Sequence, residues 1–187
     1  MTVMMQVDAE INALADLFAA EGVRSFLEIG SKFGGSLARI GKRLPAGSSI
    51  VSVDMPRGTM AWPQSEASLE AVAANLGAMG HITTVIWGDS TAPAVIEQVR
   101  ALGPFDAVFI DANHTMPYVR KDWTNYGSIS RLVAFHDIAW KRAPDWKEGK
   151  RIDVPEFWDE TKTGYRHQEF KFCPTGKNNG IGVLWRD

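Results

Sequence analysis

Five short apolar runs, each ending on or beside a glycine or an acid, constrain this chain more than any other feature. They are SFLEIG (25–30), SIVSVDM (49–55), HITTVIWG (81–88), FDAVFIDA (105–112) and RLVAFHD (131–137). Continuous apolar, β-branched and aromatic runs of this length suit strands buried on both faces, as in a parallel sheet. Between them lie helix-like segments: SLARIGKRL, SEASLEAVAANLGAM, TAPAVIEQVRAL and TMPYVRKDWTNY. Strand–helix alternation at this pace means repeated βαβ units and predicts a doubly wound, Rossmann-like α/β sheet. Val7, Ile11, Leu14, Leu17 and Phe18 recur at helical spacing, predicting an N-terminal amphipathic helix within 1–22. After Asp137 the pattern breaks, and 138–153 reads as a long polar loop. VPEFWDETK then suits a short helix, and YRHQEFKFC and GIGVLWR suit two antiparallel strands around the turn PTGKNN. All 187 residues are expected to form one domain, long enough to bury about 70% of the open-chain surface.

The ends of these runs carry the chemistry. The first run continues as Glu28-Ile29-Gly30-Ser31-Lys32-Phe33-Gly34-Gly35 into a helix. Glycines there permit a tight turn and close ligand approach, and the helix N-terminus offers unpaired N–H groups. Lys32 stands where a dinucleotide-binding G-x-G-x-x-G motif has its second glycine, which counts against a pyrophosphate cradle. Packing alone is the rival reading for these glycines. Asp54 ends the second run, where a carboxylate can accept from both ribose hydroxyls of an adenosine-containing cofactor. Asp89 and Ser90 follow the third run, with helix capping a rival role for Asp89. Asp111 ends the fourth, and His136 and Asp137 end the fifth. All five strands therefore present polar groups at their carboxyl ends, the edge where open α/β sheets bind ligands.

LEIGSKFGGS, VSVDM, GDS, DANH, AFHDI and the closing GIGVLW together resemble the class I S-adenosylmethionine-dependent methyltransferases. They are similar in particular to the small O-methyltransferase and cephalosporin-hydroxylase-like subgroup. The resemblance covers residues 20–140 and the last strand. It implies a seven-stranded sheet, mostly parallel with an antiparallel C-terminal strand. By it, Glu28, Gly30, Ser31 and Gly34 line the methionine end of S-adenosylmethionine, and Asp54 takes the ribose. Asp89 and Ser90 take the adenine, and Asp111 also borders the cofactor. Several subgroup members hold a divalent cation at positions matching Asp111, His136 and Asp137. His136 replaces a carboxylate there, which weakens Mg2+ and leaves Mn2+ or Fe2+ open; strand capping and loop ordering are the rival roles. The implied activity is O-methylation of a small-molecule hydroxyl, with Asp111, His114 or His136 removing the proton. For His114, a structural hydrogen-bonding role is the rival.

Two alternatives belong to other classes: an NAD(P)-dependent oxidoreductase, and a non-catalytic binding protein on a methyltransferase fold. Composition narrows the partners. Lys plus Arg is 20 and Asp plus Glu 22, so no basic excess favours nucleic acid or an anionic membrane. No apolar stretch is long enough to span a bilayer. The single cysteine, Cys173, expected in a buried strand, cannot form an internal disulfide, so a cytoplasmic protein is expected. Oligomeric state is left open, a homo-oligomer included. Of 7 Trp residues, Trp87, Trp123, Trp158 and Trp185 fall in expected strands or helices and suit packing. Trp62, Trp140 and Trp146 fall in loops leaving the ligand edge and are candidate walls of an acceptor site.

Overall fold

The computed structural model describes residues 6–56, 66–140, 152–172 and 179–186. Trp62, Trp146, Cys173 and most of the loop expected over 138–153 lie outside them. The elements run α1 (Asp8–Ala20), β1 (Ser25–Ile29), α2 (Gly35–Gly41), β2 (Ser49–Asp54), α3 (Glu66–Ala78), β3 (Ile82–Trp87) and α4 (Pro93–Leu102). They continue as β4 (Phe105–Ile110), α5 (Met116–Tyr126), β5 (Ser130–His136), α6 (Val154–Lys162), β6 (Arg166–Phe170) and β7 (Ile181–Trp185). Helices α4, α5 and α6 each begin with proline in the first turn, where its missing N–H costs nothing.

One seven-stranded sheet has the order β3-β2-β1-β4-β5-β7-β6. Pairings from β3 through β5 are parallel, while β7 runs antiparallel to both β5 and β6. This is the architecture the sequence predicts, down to the single reversed strand.

The strands read as unbroken apolar runs because both faces are covered. Alternate residues serve opposite layers: Phe26, Phe109 and Leu132 face a core with Ile11, Leu14, Phe18, Leu37, Leu69 and Leu76 of α1–α3. Leu27, Ile29, Val108 and Phe135 face the other, with Val95, Val99, Val119, Phe157 and Trp158 of α4–α6. Trp158 is fully buried, Trp185 nearly so, and Trp123 packs against Phe135, Phe157 and Tyr165, in keeping with packing roles. Trp87 is partly buried against the first core.

The winding reverses between β1 and β4, so their carboxyl ends form the switch-point crevice where such sheets take ligands. The two ends meet closely: the Asp111 amide donates to the Ile29 carbonyl at 2.8 Å. A Cβ on Gly30 would fall 2.4 Å from the Asp111 carbonyl oxygen, and Gly30 has φ +91°. Only glycine meets both demands.

Candidate functional site

On the β1–β2 side, the turn after β1 folds back against β2. Lys32 adopts φ +53°, the left-handed conformation usually left to glycine, so the motif's backbone shape survives the substitution at that position. Its amide and that of Met55 both donate to the Asp54 carboxylate, the latter at 2.6 Å. Burial pushes the Asp54 pKa up, and these amides partly offset it. Gly34 caps α2 with φ +78°. Ser31 is buried with its hydroxyl 2.7 Å from that of Ser52.

Glu28 is the unusual member. It is fully buried beneath this turn, and neither carboxylate oxygen completes a hydrogen bond. Burial drives its pKa up to about 8; the nearby Ser31 and Ser36 hydroxyls temper the rise, and the Asp111 and Asp54 charges add to it. A buried carboxyl group without partners is costly unless something else satisfies it.

On the β3 rim, Asp89 Oδ1 accepts from both the amide and the hydroxyl of Thr91 at 2.8 Å. Asp89 thus orders its own turn rather than capping α4, whose N-cap is Ala92. The Ser90 hydroxyl donates to Asp122 Oδ1 at 2.7 Å, a buried α5 partner that no local motif announces.

On the β4–β5 side, the four predicted residues come together. His114 Nε2 lies 3.2 Å from Asp111 Oδ1, and its Nδ1 lies 3.1 Å from Asp137 Oδ2. His136 Nδ1 lies 3.1 Å from Asp111 Oδ1 and 3.2 Å from Asp137 Oδ1. Asp137 turns its carboxylate into the cluster from φ +63°, a conformation aspartate tolerates better than most residues. Burial would lower the His136 pKa, but the two aspartates outweigh it and hold it at about 9. They raise His114 against the same burial effect. Burial would also raise Asp111, yet the two imidazoles hold it below its ordinary range. For Asp137, burial dominates and the shift is upward.

Among the described residues, Asp111, His136 and Asp137 bring ligand atoms within 4.8 Å of one another. Both ring nitrogens of His136 and Asp137 Oδ1 are buried without completing hydrogen bonds. Three donors that converge yet satisfy one another poorly fit a divalent cation. One imidazole with two carboxylates suits Mn2+ or Fe2+ better than Mg2+.

Two further residues reach this site from afar. Gln6, just before α1, donates through Nε2 to Asp111 Oδ2 at 2.5 Å. Glu10, fully buried on α1, accepts from the amides of Phe172 and Gly180. The carbonyls of Asn179 and Gly180 in turn take the amides of Ala139 and Ile138, just beyond Asp137. Neither Gln6 nor Glu10 belongs to a motif; only an acid on the apolar face of α1 hinted at Glu10.

A doubly wound sheet with its switch-point crevice between a buried acid and an acid–histidine cluster defines an α/β protein of the kind that binds ligands at that edge. The chain belongs to the methyltransferase-domain family, whose model matches residues 27–138. That membership sets aside the nicotinamide-dependent alternative. The fold is similar to the O-methyltransferase TomG from Streptomyces achromogenes, involved in tomaymycin synthesis and solved with SAM. Identity is 20%, the match covers 98% of this chain and 82% of that one, and the TM-score is 0.71. It is also similar to an O-methyltransferase from Bacillus cereus in complex with SAH, at 16% identity over 97% and 83% of the two chains, TM-score 0.70. No curated protein sequence matches the chain. Among the described residues, no helix is long and apolar enough to cross a membrane.

Proposed function

We propose that this methyltransferase transfers the methyl group of S-adenosylmethionine to a hydroxyl oxygen of a small molecule. The observation that carries the cofactor assignment is Glu28: a fully buried carboxyl group with two unpartnered oxygens at the switch point. It fits the α-ammonium of the cofactor's methionine end; among the described residues, no cation forms an ion pair with it. Asp54, on the neighbouring strand, suits the ribose hydroxyls. The O-methyltransferases of the same fold make oxygen the favoured acceptor atom.

S-adenosylmethionine, when bound, supplies a methyl group already activated as a sulfonium. The protein's work is to align the acceptor and remove its proton. Of the candidates for the proton, His114 is the more exposed histidine, at 30% against 6% for His136, and it can accept once a ring nitrogen is released from its aspartate. Asp111 and Asp137 hold the His114 ring from two sides and fix its orientation. Asp111, His136 and Asp137 would hold a divalent cation, which would orient the acceptor oxygen and favour its deprotonation. The near-balanced charge and single cysteine support a cytoplasmic enzyme with a small-molecule partner rather than nucleic acid or membrane.

Calorimetry against S-adenosylhomocysteine and NAD tests the cofactor; binding of NAD alone would end the reading. Methyl transfer to a hydroxyl panel, with Mn2+, with Mg2+ and with chelator, then tests the acceptor and the metal. Cofactor binding without turnover on any acceptor would favour the non-catalytic alternative.

A further inference from the structure

Helix α5 buries Val119, Asp122 and Tyr126 on one face. An acid on that apolar face is unexpected, since aspartate is rarely fully buried unless paired. Asp122 is fully buried, and its Oδ1 takes the Ser90 hydroxyl at 2.7 Å. One turn along the same face, the Tyr126 hydroxyl donates to the Ser90 carbonyl. Two side chains of one helix thus grip a single residue of the β3–α4 turn, one through its side chain and one through its backbone. The turn is closed internally by Asp89 and Thr91, and it is tied to the end of β2 by the Gly88 amide donating to the Asp54 carbonyl at 2.8 Å. Asp122 Oδ2 is buried and completes no hydrogen bond. Burial pushes this carboxyl group up to about 7, with Asp89 adding to the rise and Ser90 and Lys121 opposing it. An apolar residue would fill the same space without that cost.

We propose that Asp122 is a positioning residue for the nucleoside end of the cofactor site, holding the 88–92 turn in place through Ser90. This rests on the cofactor reading above and extends it to a residue on the layer beneath the site. Asp122 acts at one remove, through the turn that stands beside Asp54.

Calorimetry with two ligands tests it. S-adenosylhomocysteine has both ends of the cofactor, and 5′-methylthioadenosine has only the nucleoside end. Asp122→Ala and Ser90→Ala should each weaken both ligands by about tenfold, the loss of one buried hydrogen bond. The double variant should be no worse than the weaker single, because both changes break one interaction. Asp122→Asn, the same shape as the protonated acid and still able to accept from Ser90, should restore affinity to within about threefold. Unfolding midpoints are recorded in parallel, and Ser90→Ala and Asp122→Asn decide the matter if Asp122→Ala fails to fold. A lower midpoint with both dissociation constants unchanged would overturn the proposal and leave Asp122 a packing residue. Loss confined to S-adenosylhomocysteine would also overturn it. Failure of the wild-type protein to bind either ligand would instead refute the cofactor reading on which it stands.

Discussion

The two halves of the ligand edge contain buried carboxylates with opposite electrostatic circumstances. On the β1–β2 side, Glu28 and Asp54 are pushed up chiefly by burial, with the Asp111 charge adding to the rise in both. On the β4–β5 side, Asp111 and Asp137 face two imidazoles that supply positive charge from within the chain. On the proposed reading, Glu28 in the first half is completed by the cationic end of the cofactor. In the second, the imidazoles hold Asp111 down, while burial still prevails at Asp137. On that same reading, the first half holds the cofactor and the second handles the acceptor's proton.

Breaking the seam between the halves should have the largest effect. Gly30→Ala places a Cβ against the Asp111 backbone at a positive φ, and should cost about 3 kcal/mol or more of stability in urea unfolding. Next, Glu28→Gln should weaken S-adenosylhomocysteine by about thirtyfold in calorimetry, the scale of a lost charge-assisted hydrogen bond. The same substitution should make the ligand-free protein more stable above pH 8, which separates binding from folding.

The pH dependence distinguishes the halves further. Glu28 rises from an ordinary 4.5 to about 8 on folding, so the folded state binds the extra proton and stability falls as pH climbs through that window. Asp122, raised to about 7, adds to the acidic part of this fall. His136 is raised to about 9, so its contribution is full below pH 6.5 and is lost as pH rises through 9. Denaturant titrations in chelator should show Glu28→Gln flattening the lower window and His136→Gln the upper. Interchanged windows would refute the division. The smallest effect is expected at Trp140, half-buried just beyond Asp137. Trp140→Ala should raise acceptor KM a few-fold and leave cofactor affinity unchanged.

Much of this arrangement is legible in the sequence, because a strand buried on both faces writes itself as an uninterrupted apolar run. The acids at the ends of those runs then fall on one edge by topology alone, as Asp54, Asp111 and Asp137 do. Lys32 shows a first limit: the sequence shows the departure from the dinucleotide motif, but not that the lysine backbone takes the left-handed conformation. Ser90 shows a second limit. Its place after β3 is legible, but the partner of its hydroxyl, Asp122, lies 32 residues away on another element. Gln6 reaches Asp111 across 105 residues, a separation at which no local motif speaks. Contacts made by tertiary packing leave no periodic trace.

The placement of β7 has a consequence for biosynthesis. The strand made last is inserted between β5 and β6, both made earlier, rather than added at the sheet's margin. A nascent chain emerging from the ribosome can wind β1 to β5 in order, but β5 keeps an open edge until Ile181–Trp185 appear. The backbone ties from Asn179 and Gly180 to the residues beyond Asp137 form at the same late moment. Chains stalled before that point would expose an unpaired apolar strand, the kind of edge that recruits chaperones or aggregates. The acid–histidine half of the edge should therefore mature only after translation has passed Trp185, well after the half around Glu28 has its strands.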